Sequence, residues 1–127
     1  MKRRAVLGSL VALLGLVARF PSRAEAGARY RLPPPHTVPP SAIRVHDGDT
    51  FSVGAEKIRL RGIDTPERGM PLSWMATRRL AELLLLGPVT IVPRAEDAYG
   101  RVVADVYVRG HDVALVLRRE GFAKPRP

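Results

Sequence analysis

The apolar pattern of this chain changes period twice, and those changes constrain its fold more than anything else in the sequence. Ala42-Ile-Arg-Val45 and Thr50-Phe-Ser-Val53 are short β-prone runs on either side of Asp47-Gly48, a hairpin turn dipeptide. Gly54-Ala55 turns the chain into Lys57-Ile-Arg-Leu-Arg-Gly-Ile63, where Ile58 and Leu60 alternate with Arg59 and Arg61. One face of that strand is set for burial and the other carries two arginines; Pro66 stops it. The period then lengthens. Leu72, Met75, Ala76, Leu80, Leu83 and Leu84 recur at helical spacing, which predicts a helix over residues 71–86. Pro71 suits its first turn and Gly87-Pro88 its end. Trp74 has a face to offer a base, but its place beside the apolar stripe assigns it to the core. From Val89 the period shortens again. Residues 89–93 read as a fourth strand and 101–108 as a fifth, with Val102, Ala104, Val106 and Val108 on one face. Asp112 caps a short helix over 113–120, and Gly121 ends it.

Three strands, a helix, two strands and a helix predict a mainly β, α+β domain. The order is that of a five-stranded barrel of the oligonucleotide/oligosaccharide-binding type (OB-fold), with one helix between strands 3 and 4 and a short C-terminal helix. Residues 41–127 are expected to form it. Residues 27–40 include Arg31-Leu-Pro-Pro-Pro-His-Thr-Val-Pro-Pro40 and read as an extended, proline-rich linker. Residues 1–26 read as a signal peptide. Lys2, Arg3 and Arg4 precede an uncharged apolar run from Ala5 to Ala18, and Ala24-Glu25-Ala26 is a small-x-small cleavage signature. The run is shorter than the roughly 20 residues that a membrane span needs. The expected location is therefore secreted or periplasmic, with no stable membrane association once the signal is removed. The Arg3-Arg4 pair is compatible with twin-arginine export as well.

Loss of residues 1–26 takes with it Lys2, Arg3, Arg4, Arg19, Arg23 and Glu25, so the net charge falls from +9 to +5. A chain of that sign attracts polyanions such as nucleic acid. There are no cysteines, which excludes disulfides, thiol chemistry and cysteine-bound zinc. His36, His46 and His111 show no metal-ligand spacing.

Three polar clusters interrupt the apolar pattern: Asp47-Gly-Asp-Thr50, Arg59 with Asp64-Thr-Pro-Glu67, and Asp97-Ala-Tyr-Gly-Arg101. Asp49 begins the second strand and Asp64 finishes the third, and in a barrel such ends can meet at one rim. Carboxylates without His or Cys suit Ca²⁺ or Mg²⁺. Taken alone, Asp47 and Asp49 are also ordinary turn residues. Arginine forks such as those of Arg59 and Arg101 match phosphate oxygens and keep their charge, although either one singly is an unremarkable exposed strand residue. Glu67 follows Asp64 by three residues, past the bend at Pro66, where a carboxylate is placed to accept a proton from an attacking water or simply to face solvent.

In this order the clusters resemble the staphylococcal nuclease family, the thermonuclease-like proteins. The resemblance runs from about residue 42 to 124. It rests on Asp47-Gly-Asp-Thr50, Ile58-Arg-Leu-Arg-Gly-Ile-Asp-Thr-Pro-Glu67, Tyr99-Gly-Arg101 and Leu117-Arg-Arg-Glu-Gly-Phe-Ala123. It implies that Asp49 and Asp64, with the backbone carbonyl of Thr65, hold Ca²⁺. It implies that Arg59 and Arg101 grip the scissile phosphate and stabilise a five-coordinate transition state, with Glu67 as general base. Tyr99 then contacts a nucleotide phosphate, and Asp47 is an outer-shell carboxylate. The implied reaction is hydrolysis of DNA or RNA with the 5′ oxygen leaving, so that products carry 3′-phosphates. The implied partner is the nucleic acid substrate, bound by a monomer.

Two departures from the family pattern stand out. Only Arg68-Gly69-Met70 separate Glu67 from the helix, where the staphylococcal enzyme has a longer, lysine-bearing loop. The sequence stops at Pro127, where that enzyme continues into a third helix with tyrosines near the site, so lower stability than a full-length relative is expected. The competing reading is a barrel that has lost catalysis and binds single-stranded nucleic acid or a protein partner. The joint presence of Asp49, Asp64, Arg59, Arg101 and Glu67 favours the enzyme.

Overall fold

The computed structural model describes residues 31–125, so the expected signal peptide and the first residues of the expected linker lie outside the described residues. Part of that linker is a strand. His36–Val38 forms β1 and pairs antiparallel with residues 89–91. The stretch read as an extended tether is therefore partly sheet. Prolines hid the signal, since they cannot donate to a ladder, but His36, Thr37 and Val38 retain their N–H groups. An edge strand tolerates prolines on either side. Val38 packs against the core, and the Thr37 and Thr90 hydroxyls lie 3.2 Å apart.

A 3-10 turn at Pro40–Ala42 leads into a meander of three antiparallel strands, β2 (Ile43–Asp47), β3 (Thr50–Val53) and β4 (Glu56–Leu60). Helix α1 (Ser73–Leu84) follows, then β5 (Val89–Glu96), β6 (Val102–Val108), β7 (His111–Asp112) and α2 (Val113–Arg119). The sheet order is β1-β5-β6-β4-β3-β2, with β7 added on β6. It is a curled half-barrel, and the α+β barrel class expected from the sequence holds. It has two short strands, β1 and β7, beyond the five expected. Among the described residues all pairings are antiparallel except β4 with β6, which run parallel with Arg59 opposite Val103. That pairing sets the end of β4 beside the start of β6.

The core explains the alternation. Phe51, Ile58, Leu60, Ile91, Val102, Ala104 and Val106 fill the inside of the sheet, and Leu80 and Leu84 of α1 and Leu117 of α2 close it. Asp112 caps α2 as expected, accepting a hydrogen bond from the Leu115 N–H at 3.2 Å. Helix α1 is shorter than expected. Leu72 adopts a left-handed conformation (φ 68°), so regular helix begins only at Ser73. Its buried stripe is Ala76, Leu80, Leu83 and Leu84. Trp74 precedes Ala76 by two residues, about 200° around the helix, and so points away from the core. It is 65% exposed, and Leu72 and Met75 are exposed too. The assignment of Trp74 to the core, and of Leu72 and Met75 to the buried stripe, is corrected accordingly.

Candidate active site

The site begins at the turn between β2 and β3. The register slips between Val45 and Asp47, a local bulge. Asp47 Oδ1 accepts the Asp49 N–H at 3.1 Å, so the aspartate holds the turn from its own side chain. Gly48 is buried where α1 and the loop after β4 meet. A Cβ there would sit 2.7 Å from Ala76 Cβ and 2.7 Å from Thr65 Oγ1. Glycine is thus required by close approach.

Asp49 is buried and fully engaged. Its Oδ2 accepts the Thr65 N–H at 3.0 Å, and its Oδ1 accepts the Thr50 hydroxyl at 3.0 Å. Burial raises its carboxyl pKa. The hydrogen bonds from Thr65, Asp47 and Thr50, together with the Arg59 charge, outweigh burial and hold it below the usual carboxylate range. Asp47 shifts the opposite way, raised first by burial and then by its contact with Asp49. Of the two, Asp49 has the more acidic carboxyl.

Arg59 is less exposed than its place on a polar strand face suggests, with 17% of its side chain accessible. Its Nη1 donates to the carbonyls of Leu60 (2.7 Å) and Ile63 (2.6 Å), which ties down the loop leaving β4. Its Nη2 lies 3.4 Å from Asp49 Oδ2 and 3.3 Å from Asp64 Oδ1. One guanidinium therefore bridges the two carboxylates expected to hold metal. The Asp64 carboxylate opens to solvent. Glu67 is also exposed; Lys124 Nζ stands 3.7 Å from its Oε1.

Arg101 comes from a second turn, before β6. Asp97 accepts the N–H groups of Tyr99 (2.9 Å) and Arg101 (3.0 Å) on Oδ1, and the Arg101 Nε on Oδ2 at 2.6 Å. Gly100 takes φ +80°, which this tight turn needs. The Arg101 guanidinium lies 5.2 Å from the centroid of the Tyr99 ring.

These residues converge. A cleft of about 190 Å³ is lined by Asp47, Asp49, Arg59, Asp64, Thr65, Pro66, Glu67 and Arg101. Seven of these eight are residues singled out in the sequence, drawn from three separate segments. Tyr99, the eighth so singled out, lies outside the cleft lining and is exposed. Two participants had no role assigned from the sequence. Asp97 anchors Arg101; its spacing ahead of Tyr99-Gly100 is an Asx-turn signal that could have revealed it. Lys124 reaches Glu67, and its backbone N–H donates to the Asp64 carbonyl at 2.6 Å. A lone lysine near the end of a sequence carries no such signal.

The cleft offers hard oxygen donors. Among the described residues no group of three or more His, Cys, Asp or Glu stands ready to hold a metal ion. Asp49 and Asp64 form a carboxylate pair of the kind a divalent oxygen-seeking cation takes, and the remaining positions of its shell would fall to backbone and water oxygens. The donor set fits Ca²⁺ or Mg²⁺ on those terms.

Fold and cleft together define a curled β-barrel domain with an acid-and-arginine pocket at its rim. The family model described as staphylococcal nuclease homologue matches residues 57–126. The chain is 37% identical over 67 residues to a staphylococcal-like nuclease of Arabidopsis thaliana, covering 53% of this chain and 21% of that protein. It is 36% identical over 69 residues to a micrococcal nuclease of Shigella flexneri, covering 51% and 40%. It is 32% identical over 114 residues to the protein ParB of Escherichia coli, covering 85% and 58%. The chain thus spans less than two thirds of the length of these relatives. It belongs to the staphylococcal nuclease family.

Proposed function

We propose that the chain is an exported, Ca²⁺-dependent nuclease that hydrolyses phosphodiester bonds in DNA or RNA. The observation that carries this reading is the convergence of Asp49, Asp64, Glu67, Arg59 and Arg101 on one cleft. Asp49, Asp64 and the Thr65 carbonyl would hold the ion, which when bound supplies positive charge against the phosphate and its attacking oxygen. Glu67, open to water, accepts the proton of the attacking water. Arg59 and Arg101 face the charge that develops on phosphorus-bound oxygens, and their anchors hold them there before substrate arrives. The 5′ oxygen leaves, giving 3′-phosphate products. Nucleic acid fits the basic balance of the chain.

Digestion of single-stranded DNA by the purified chain, with Ca²⁺ and with chelator, tests the reading. Cleavage only with Ca²⁺ is expected. Folded protein that binds but does not cut would make it a binding module. Arg59→Ala and Arg101→Ala should each slow cleavage about 100- to 1,000-fold, the cost of one charge donor to a transition state. Unchanged rates would remove both arginines from the chemistry. Export is tested separately: the secreted chain should begin at residue 27, and an intact Met1 on it would refute signal cleavage.

A further inference from the structure

A second concavity lies beside the cleft. Among the described residues it is lined by Trp74, Met75, Arg78, Arg79, Glu82 and Phe122, with a volume of about 220 Å³. That is below the range of about 300–1,000 Å³ typical of drug-sized pockets, and it suits one planar ring. Both its walls are fastened to the catalytic loop. On one side, the Met70 N–H bonds the Glu67 carbonyl (2.9 Å) and the Ser73 N–H bonds the Met70 carbonyl (3.2 Å). Two successive turns thus lead from Glu67 to Trp74. On the other side, Phe122 is two residues from Lys124, whose N–H holds the Asp64 carbonyl and whose Nζ reaches Glu67.

The groove's charges are already matched. Arg79 grips Glu120 through paired contacts at 2.7 Å, and Arg78 pairs with Glu82 at 3.2 Å. What remains to recognise a ligand is the Trp74 face, exposed although a large apolar ring costs free energy in water. Chain connectivity keeps this ring near the cleft: Trp74 is seven residues from Glu67, and Phe122 is two from Lys124, which contacts Glu67. We propose that the groove between Trp74 and Phe122 is a nucleobase subsite, in which an unpaired base flanking the scissile phosphate stacks on Trp74. The proposal rests on the nuclease reading of the adjacent cleft. A paired base is already stacked and cannot enter, so the subsite favours single strands.

Trp74 is the chain's single tryptophan, so its emission reports the groove directly. In the full chain with chelator, oligothymidylate should quench that emission to saturation, and an abasic oligonucleotide of equal length should not. Equal quenching by both, or none by either, overturns the subsite. Trp74→Ala should lower kcat/KM on single-stranded DNA about 5- to 150-fold, the range for loss of one stacked base. Cleavage of duplex DNA should stay within about twofold, and Trp74→Phe should recover most of the single-strand rate. Equal losses on both substrates would mark Trp74 as merely structural and end the proposal. If the wild-type chain cuts neither substrate, the nuclease reading fails, and the quenching experiment still decides the groove.

Discussion

Two aspartate-led turns build this site, and they are held in place differently. The turn at Asp47-Gly48-Asp49 is set by what surrounds it. Thr65 and Ala76 close on Gly48, and Asp49 is buried and bonded at both oxygens. The turn at Asp97–Arg101 is set by itself. One aspartate accepts three bonds from within the turn, and among the described residues nothing but Gly100's chain neighbours lies within 4 Å of where its side chain would begin. The first turn is an internal fixture on which the carboxylates depend, while the second is a self-contained arm that presents one arginine. Damage to the first should therefore unsettle the domain most, and damage to the second should tell mainly on the chemistry.

Gly48→Ala should cause the largest stability loss. Forcing a methyl group into contacts of 2.7 Å should cost about 1–3 kcal/mol, as overpacking does, and abolish most cleavage by displacing Thr65. A thermal melt within a degree or two of wild type would show that the turn is not locked by packing. Asp97→Ala should come next. It removes the anchor of Arg101 and should lower the cleavage rate about 10- to 100-fold, with about 1 kcal/mol of stability lost. A stability loss as large as that of Gly48→Ala would break the contrast between the turns. Gly100→Ala should cost about 1–2 kcal/mol through backbone strain at φ +80°, with no steric component. A Gly100→Asn variant, whose residue tolerates that conformation, should melt closer to wild type.

The smallest effect expected is on pH dependence. Burial pushes the Asp97 carboxyl up, but the bonds from Arg101 and Tyr99 and the Arg101 charge hold it below its ordinary 3.8. The folded turn then binds fewer protons than the unfolded chain near that pH. Its contribution is complete above 3.8 and is lost as pH falls through the lower folded value. Asp97→Asn should flatten the fall of the melting temperature on acidification. An unchanged acid limb would show that Asp97 contributes nothing there.

Much of this was legible in the sequence because strand period and chemical type both repeat locally. The alternation at Val102, Ala104, Val106 and Val108 reads directly as a buried face, and all four are buried. Asp49, Asp64, Glu67, Arg59 and Arg101 stood out by type, by the strand ends and by the order of motifs that resembles the nuclease family, and all five line the cleft. What escaped depends on partners far along the chain. His36–Val38 is a strand only because residues 89–91 offer an edge to it. Trp74 lies about 200° around α1 from Ala76, so the packing that buries Ala76, Leu80, Leu83 and Leu84 leaves it exposed. Lys124 joins the site through a backbone bond to Asp64 and a side-chain contact with Glu67.

The parallel pairing of β4 with β6 carries a consequence in time. It joins Ile58–Leu60 to Val102–Ala104, segments separated by a helix and a strand, so it is a pairing of high contact order and forms slowly. Arg59 lies within it, and Arg101 adjoins it. The hairpin that carries Asp49 pairs strands adjacent in sequence, and its supports, Thr65 and Ala76, lie far closer along the chain than β6 does to β4. During refolding the acidic turn should therefore mature before the arginines meet, and cleavage should return only with the slowest step of sheet closure. If the proposed function holds, a chain that is not yet fully folded would, on that timing, have no assembled means of cutting nucleic acid.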